Sequence, residues 1–280
     1  MYEIIGCPMH WGVSEDGLKR SIDVLNERYA DLNIKKIDEI EMPEENLSNL
    51  KNLNSVVATC TKLAEVTDEI ISTGKTPICI GGDHSLAMGT VSGSAKSNKK
   101  MGLLWVDSHS DINTDVSTIS GNIHGMPVSA LMGFGNEKLV SIYGADPKVL
   151  PQHVVLFGVR DMDPLEVEIV EKLDIRCYTY HEIVTRGLKV CLDEVKEYLN
   201  DINKLHISFD LDSMDPDIIK GVTVPVKSGF VEEDVNQTID YCLDNFEIAS
   251  IDIVEFNPKF DEDLYTAEYT NSLIKRIINK

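Results

Sequence analysis

Met101-Gly102-Leu103-Leu104-Trp105-Val106 runs without a break into Asp107-Ser108-His109-Ser110-Asp111, and the reading of this junction decides the fold. The first half carries no charge and predicts a strand covered on both faces, as in a parallel sheet layered between helices. The second half has the opposite character, with acid, histidine and acid at alternate positions. In extended backbone alternate side chains project to one side, so Asp107, His109 and Asp111 are expected to converge.

Outward from this junction the same transition recurs. Strands are predicted over 3–6, 76–80, 101–106, 154–157, 175–178, 205–209 and 249–254, with a further short one near 34–37. Helices are predicted over 14–29, 46–72, 86–97, 164–173, 182–198, 232–245 and 265–278, the second of them open to a break. Short β-branched apolar runs alternating with amphipathic stretches predict an α/β fold with a mainly parallel sheet. Ligand-type residues follow the strands: Gly81-Gly82-Asp83-His84-Ser85, Arg160-Asp161-Met162-Asp163, Asp210-Leu211-Asp212 after the buried-looking His206-Ile207-Ser208-Phe209, and Glu255. Open α/β sheets bind ligands beyond the carboxyl ends of their strands. Five strands therefore deliver polar side chains to one edge. The 280 residues hold no repeat, low-complexity tract or Pro/Gly/Ser linker, so one domain over 1–280 is expected.

The formal net charge of −21 argues against nucleic acid or an anionic membrane as partner, since both require a positive footprint. It suits a small cationic substrate. Residues 1–11 have neither the basic start nor the apolar core of a signal peptide, and no apolar run approaches a membrane span. Six cysteines are scattered without Cys-x-x-Cys spacing, which predicts buried reduced thiols, at Cys79 and Cys191 above all, and a cytoplasmic setting.

An isolated Asp-x-Asp is ordinarily a solvated turn, and an isolated histidine a satisfied loop side chain. Here His84, Asp107, His109, Asp111, Asp210 and Asp212 all leave buried-looking strands. Unpaired carboxylates gathered in a low-dielectric site are unstable by several kcal/mol each. Their four negative charges match two divalent cations. Oxygen-rich ligation with imidazole favours a hard ion such as Mn2+ over Zn2+. Bridging carboxylates let six side chains hold two ions about 3.5 Å apart, with a water between them acidified to hydroxide near neutral pH. The implied chemistry is hydrolysis. Asp215-Pro216 reads as the turn leaving its strand.

Gly81-Gly82-Asp83-His84-Ser85, Asp107-x-His109-x-Asp111 and Ser208-Phe209-Asp210-Leu211-Asp212-x-x-Asp215-Pro216 together resemble the three signatures of the ureohydrolase superfamily, in order and spacing over about residues 76–258. That superfamily includes arginases, agmatinases, guanidinobutyrases and formimidoylglutamases. The resemblance implies a three-layer α/β/α sandwich around a mainly parallel eight-stranded sheet, with two Mn2+ per chain. It assigns one ion to His84, Asp107, Asp111 and Asp210, and the other to Asp107, His109, Asp210 and Asp212. Asp111 would also aim a bridging hydroxide.

Within the superfamily, Asp111-Ile112-Asn113-Thr114 through Ser120-Gly121-Asn122-Ile123-His124-Gly125 looks like the arginases. By that likeness Asn113, Ser120 and Asn122 grip the α-carboxylate of L-arginine. Asp163 receives the α-ammonium, with Asp161 and Glu166 as helpers. His124 is the acid/base group, its ordinary pKa suited to the role, and Glu255 pairs with the guanidinium. The products would be ornithine and urea, and a homo-oligomer, trimer or hexamer, is implied. Departures from the pattern are Val224, where a threonine hydroxyl is expected, a 221–225 turn without the usual Gly-Thr-Pro, and residues 11–21 without a Gly-Pro stretch. Ser108 replaces an alanine and is expected to matter little. Val224 leaves agmatine or guanidinobutyrate open as substrates, whereas intact His124 and Glu255 weigh against a non-catalytic arginine or metal binder.

Overall fold

In this computed structural model, which describes residues 1–43, 49–144 and 147–280, eight strands form one sheet. They are β1 (Tyr2–Cys7), β2 (Lys35–Lys36), β3 (Thr76–Gly81), β4 (Met101–Val106), β5 (Val154–Val159), β6 (Arg176–Thr179), β7 (Lys204–Asp210) and β8 (Ile248–Val254). Their order is β2-β1-β3-β8-β7-β4-β5-β6, and every pairing is parallel. The expected mainly parallel sheet is thus wholly parallel. Each β4 and β5 residue is buried, whereas edge strand β2 presents two exposed lysines. Such charges blunt an open edge against further pairing.

Among the described residues ten helices flank the sheet: α1 (Ser21–Arg28), α2 (Leu53–Ser72), α3 (Ala87–Ser97), α4 (Pro127–Leu131), α5 (Glu137–Val140), α6 (Pro164–Lys172), α7 (Tyr180–Arg186), α8 (Leu188–Tyr198), α9 (Glu232–Asn245) and α10 (Tyr265–Asn279). Leu103 and Trp105 of β4 share one core with Val56 and Leu63 of α2 and Val91 of α3. Leu104 and Val106 share the other with Ile22 of α1, Val195 of α8, Ile239 of α9 and Ile274 of α10. Strand alternation thus feeds two apolar layers, and burial at about 25 cal/mol per Å2 on both faces favours the three-layer arrangement.

The sequence-based boundaries need four corrections. The 14–29 helix is a 3-10 turn, Asp16–Arg20, followed by α1. Of the 46–72 helix only α2 is seen; Asn52 before it is left-handed at φ 53°, and residues 46–48 lie outside the described residues. The 182–198 helix is two, α7 and α8, because Gly187 at φ 96° takes a conformation that ends one helix and re-aims the next. The short α4 and α5 were not predicted, being too brief to show a helical period. Among the described residues no helix is long and apolar enough to cross a membrane, and all six cysteines are free.

Candidate metal centre

β3, β8, β7, β4 and β5 are neighbours in the sheet, so the five polar strand ends meet at one edge. The first is shaped by close backbone approach. A Cβ on Gly82 would lie 1.7 Å from the Met9 carbonyl oxygen, and the Gly82 carbonyl accepts the Glu255 N–H at 2.8 Å. Glycine is thus required where β3 and β8 leave the sheet side by side. Asp83 is fully buried; its carboxylate accepts the Gly12 and Ser85 N–H groups and the Ser85 hydroxyl. Those bonds set the turn that carries His84.

His84 Nδ1 lies 3.1 Å from Asp107 Oδ2, 3.3 Å from Asp111 Oδ2 and 3.1 Å from Asp210 Oδ2. Its other nitrogen, Nε2, is 2.8 Å from Ser208 Oγ, and its ring stacks on Trp105 at 3.8 Å between centroids. Trp105 Nε1 in turn donates to Asp107 Oδ2 at 2.9 Å. On the other side of Asp107, His109 Nδ1 lies 3.4 Å from Asp107 Oδ1 and 3.3 Å from Asp212 Oδ2. Asp210 Oδ1 accepts the Asp212 N–H at 2.7 Å. Two groups of donor atoms gathered within 4.8 Å result, His84–Asp107–Asp111 and Asp107–His109–Asp212, which share Asp107.

Among the described residues buried His84 Nδ1 finds no hydrogen bond, although three carboxylates surround it. Buried polar atoms are rarely left unpaired, and carboxylates gathered around one without a bond leave their charge uncompensated. A cation between them resolves the conflict, so the donor set fits divalent metal. The electrostatics agree. Burial and neighbouring carboxylates push Asp111 and Asp210 well above the ordinary carboxyl range, and burial raises Asp212 despite His109. Burial opposes charge on His109 too, but the Asp212 charge and the bond to Asp107 raise its pKa strongly. Protons thus take the place that metal charge would fill.

A cavity of about 260 Å3 opens over this cluster, lined by His109, Asp111, Asn113, Ser120, His124, Gly125, Asp161, Asp163, Glu166, Asp210, Asp212, Val224 and Glu255. Asp111 and Glu255 both project into it from left-handed backbone, φ 48° and 63°. Non-glycine residues adopt such angles at a cost of about 1–3 kcal/mol, commonly where a site requires it. Glu255 Oε1 accepts the His84 N–H at 3.0 Å and lies 3.3 Å from His124 Nδ1; Oε2 is buried without a partner among the described residues. Burial works against a charged His124, but Glu255 and Asp83 outweigh it and raise its pKa. The His124 turn hangs from Gly12, whose carbonyl accepts the Ile123 and His124 N–H groups at 2.8 and 3.2 Å.

The remaining predicted residues take unequal places. Asn113 is buried at the cavity wall, where its Oδ1 accepts the Ser117 hydroxyl. Ser120 reaches the cavity from an exposed loop. Asn122 is not among the lining residues; its Oδ1 accepts Lys51 Nζ at 2.8 Å. Asp161 and Asp163 are exposed at the mouth. Glu166 is buried and already engaged, with Oε1 on the Ser110 hydroxyl at 2.7 Å and Oε2 on the Asp163 N–H at 2.8 Å. Ser108 does more than expected: its hydroxyl donates to Asp212 Oδ1 at 2.6 Å, a bond an alanine cannot make. Trp105 and Ser208 were not singled out, yet strand alternation places them on the same side as Asp107 and Asp210.

The model of the Arginase family matches residues 2–279. The arginase of Bacillus subtilis strain 168 is 34% identical, with 99% of this chain and 97% of that protein covered. The solved structure of Bacillus caldovelox arginase superposes with a TM-score of 0.91 at 34% identity, covering 100% of this chain and 98% of the other. Entamoeba histolytica arginase in complex with L-ornithine superposes at 0.90 with 28% identity, covering 99% and 97%.

Proposed function

This chain belongs to the arginase family, and from that membership we infer that it hydrolyses the guanidinium group of L-arginine to L-ornithine and urea. The observation that carries the reading is buried His84 Nδ1, facing three carboxylates without a hydrogen bond among the described residues, beneath a cavity whose lining includes two of those carboxylates, Asp111 and Asp210, together with His124 and Glu255. His84, Asp107, Asp111 and Asp210 would hold one ion, and Asp107, His109, Asp210 and Asp212 the other. The oxygen-rich donor set supports two Mn2+ per chain. Such ions, when bound, supply Lewis acidity toward water and neutralise the carboxylates.

The chain's own groups then divide the work. Glu255 Oε2, free and buried, pairs with the substrate guanidinium. Asp111 projects into the cavity and orients the attacking water. His124 keeps Nδ1 toward Glu255, which leaves Nε2 to deliver a proton to the departing δ-nitrogen of ornithine. Asn113 and Ser120, at the cavity wall, are the neutral donors for the α-carboxylate; Asn122, outside the lining with its oxygen on Lys51, would join them by turning its amide NH2 toward the cavity. Asp163 takes the α-ammonium at the mouth, Asp161 assists, and Glu166 fixes Asp163 through its N–H. The free cysteines support a cytoplasmic setting, the one continuous sheet supports a single domain over 1–280, and the family likeness supports a homo-oligomer, a trimer or hexamer.

A substrate panel tests this. Protein loaded with Mn2+ is expected to release urea and ornithine from L-arginine but little urea from agmatine or 4-guanidinobutyrate, and to lose activity on chelation. Preferential turnover of agmatine would overturn the substrate assignment and point to Val224, which lines the cavity without a hydroxyl.

A further inference from the structure

We infer that Arg160, at the end of β5, is the positioning residue for the ion assigned to His109 and Asp212; the inference rests on the two-ion reading above. Its main chain holds one ligand loop and its side chain the other. Arg160 N–H donates to the Ser108 carbonyl at 2.9 Å, between Asp107 and His109. The guanidinium donates to the carbonyls of Asp212 at 2.9 Å, Ser213 at 3.1 Å and Met214 at 3.3 Å, and to those of Val226 and Lys227 at 3.2 and 3.3 Å. Tyr180 lies over it at 5.7 Å.

The choice of acceptors is the telling point. A half-buried guanidinium ordinarily pairs with a carboxylate, and acidic groups are abundant nearby. Among the described residues Arg160 has no carboxylate within salt-bridge distance, and its side-chain bonds all end on main-chain carbonyls. Its planar fork of five donors can reach several loop carbonyls at once, which the three donors of a lysine on a flexible stem cannot. Asp212 sits in a single 3-10 turn, Leu211–Ser213, rather than in a strand or α-helix, and Arg160 ties three successive carbonyls of that turn and its exit to the end of β5. Ser108 completes the link, its carbonyl on Arg160 and its hydroxyl on Asp212. Among the described residues neither His84 nor Asp111, the ligands particular to the other ion, makes a hydrogen bond with Arg160.

Wild-type, Arg160→Lys and Asp212→Ala proteins, stripped by chelation, are titrated with Mn2+ by calorimetry and followed by EPR. Wild-type protein is expected to take two ions and give the spectrum of a coupled pair. Arg160→Lys should bind one ion as wild type does and the other about 10–100-fold more weakly, showing an isolated ion at the Mn2+ level where wild type is paired. Asp212→Ala should lose the same ion. Two ions at wild-type affinity in Arg160→Lys, or equal weakening of both, would overturn the inference alone. A wild-type protein that takes up no pair overturns the two-ion reading and this inference with it. Should Arg160→Lys fail to fold, Tyr180→Leu, which removes the ring over the guanidinium, is expected to weaken the same ion by less, and an unaltered pair there counts against it.

Discussion

His84 and His109 face the same aspartate through its two different oxygens, yet the protein holds them in unlike ways. His84 has 1% of its side chain exposed and is held by strand-borne groups: the Trp105 ring from β4, Ser208 Oγ from β7, and Asp107 braced by Trp105 Nε1. His109 is 23% exposed and sits on loops joined by Ser108 and Arg160. Packed rings and strands resist displacement because neighbouring atoms leave no room, whereas loop hydrogen bonds can exchange with water. One side of the centre is fixed by burial and the other by bonding. The second is therefore expected to lose its ion first.

Asp210→Ala is the severest test, because Asp210 belongs to both sides. One oxygen lies 3.1 Å from His84 Nδ1 and the other accepts the Asp212 N–H at 2.7 Å. Its removal is expected to abolish binding of both ions and to depress urea release by orders of magnitude. Metal content by mass spectrometry decides: a variant that keeps either ion at full occupancy would show that Asp210 serves one side alone.

Ser208→Ala separates the sides more gently. His84 Nε2 lies 2.8 Å from Ser208 Oγ; with metal on Nδ1 the ring proton would sit on Nε2 and donate to Ser208 Oγ, a bond that would fix the ring's tautomer and orientation. Its loss should weaken the His84 ion by about 10–100-fold and leave the His109 ion unchanged, the mirror image of Arg160→Lys. If both ions weaken together in Mn2+ titrations, the contrast between the two sides is wrong.

The strand-borne side was also the more legible in sequence. Alternation pointed to Asp107, His109 and Asp111, but β4 ends at Val106 and Asp111 is left-handed at φ 48°, so turns rather than extended backbone bring the three together; Trp105 and Ser208, inside β4 and β7, do follow the alternation, two residues before Asp107 and Asp210. The same alternation therefore extends the cluster backwards along each strand. Arg160 stood in plain view, but its partners are main-chain carbonyls, which every residue possesses, so no residue type announces the contact. The engagement of Asn122 by Lys51 joins positions 71 apart in the chain and left no local trace. Element types followed from periodicity, whereas the order β3-β8-β7-β4-β5 is set by long-range pairing that spacing does not encode. The break at Gly187 carried a signal, since glycine inside a helical pattern marks a possible end.

The smallest expected effect is on stability and concerns the centre without metal. Burial raises Asp111, Asp210 and Asp212 above the carboxyl values they have in an unfolded chain, and the Asp212 and Asp107 charges raise His109 despite its burial. Above about pH 4 the unfolded carboxyls release protons that the folded ones retain. The folded state then binds more protons, so stability falls as pH rises, by about 1.4 kcal/mol per pH unit for each such proton. His109 adds to the same slope above about pH 6.5. Asp107, shifted downward by His109 and His84 despite its burial, acts in the opposite sense only below the ordinary carboxyl range. Calorimetric melting of chelated protein should therefore show Tm falling between about pH 5 and about pH 8. Bound Mn2+ replaces those protons and should flatten or reverse the slope, since cation binding to deprotonated ligands strengthens as pH rises. A Tm of the chelated protein that is level or climbs over that interval would mean the carboxylates are stabilised by groups other than the cations inferred between them, and the repulsion that distinguishes this cluster from an ordinary acidic pocket would be absent.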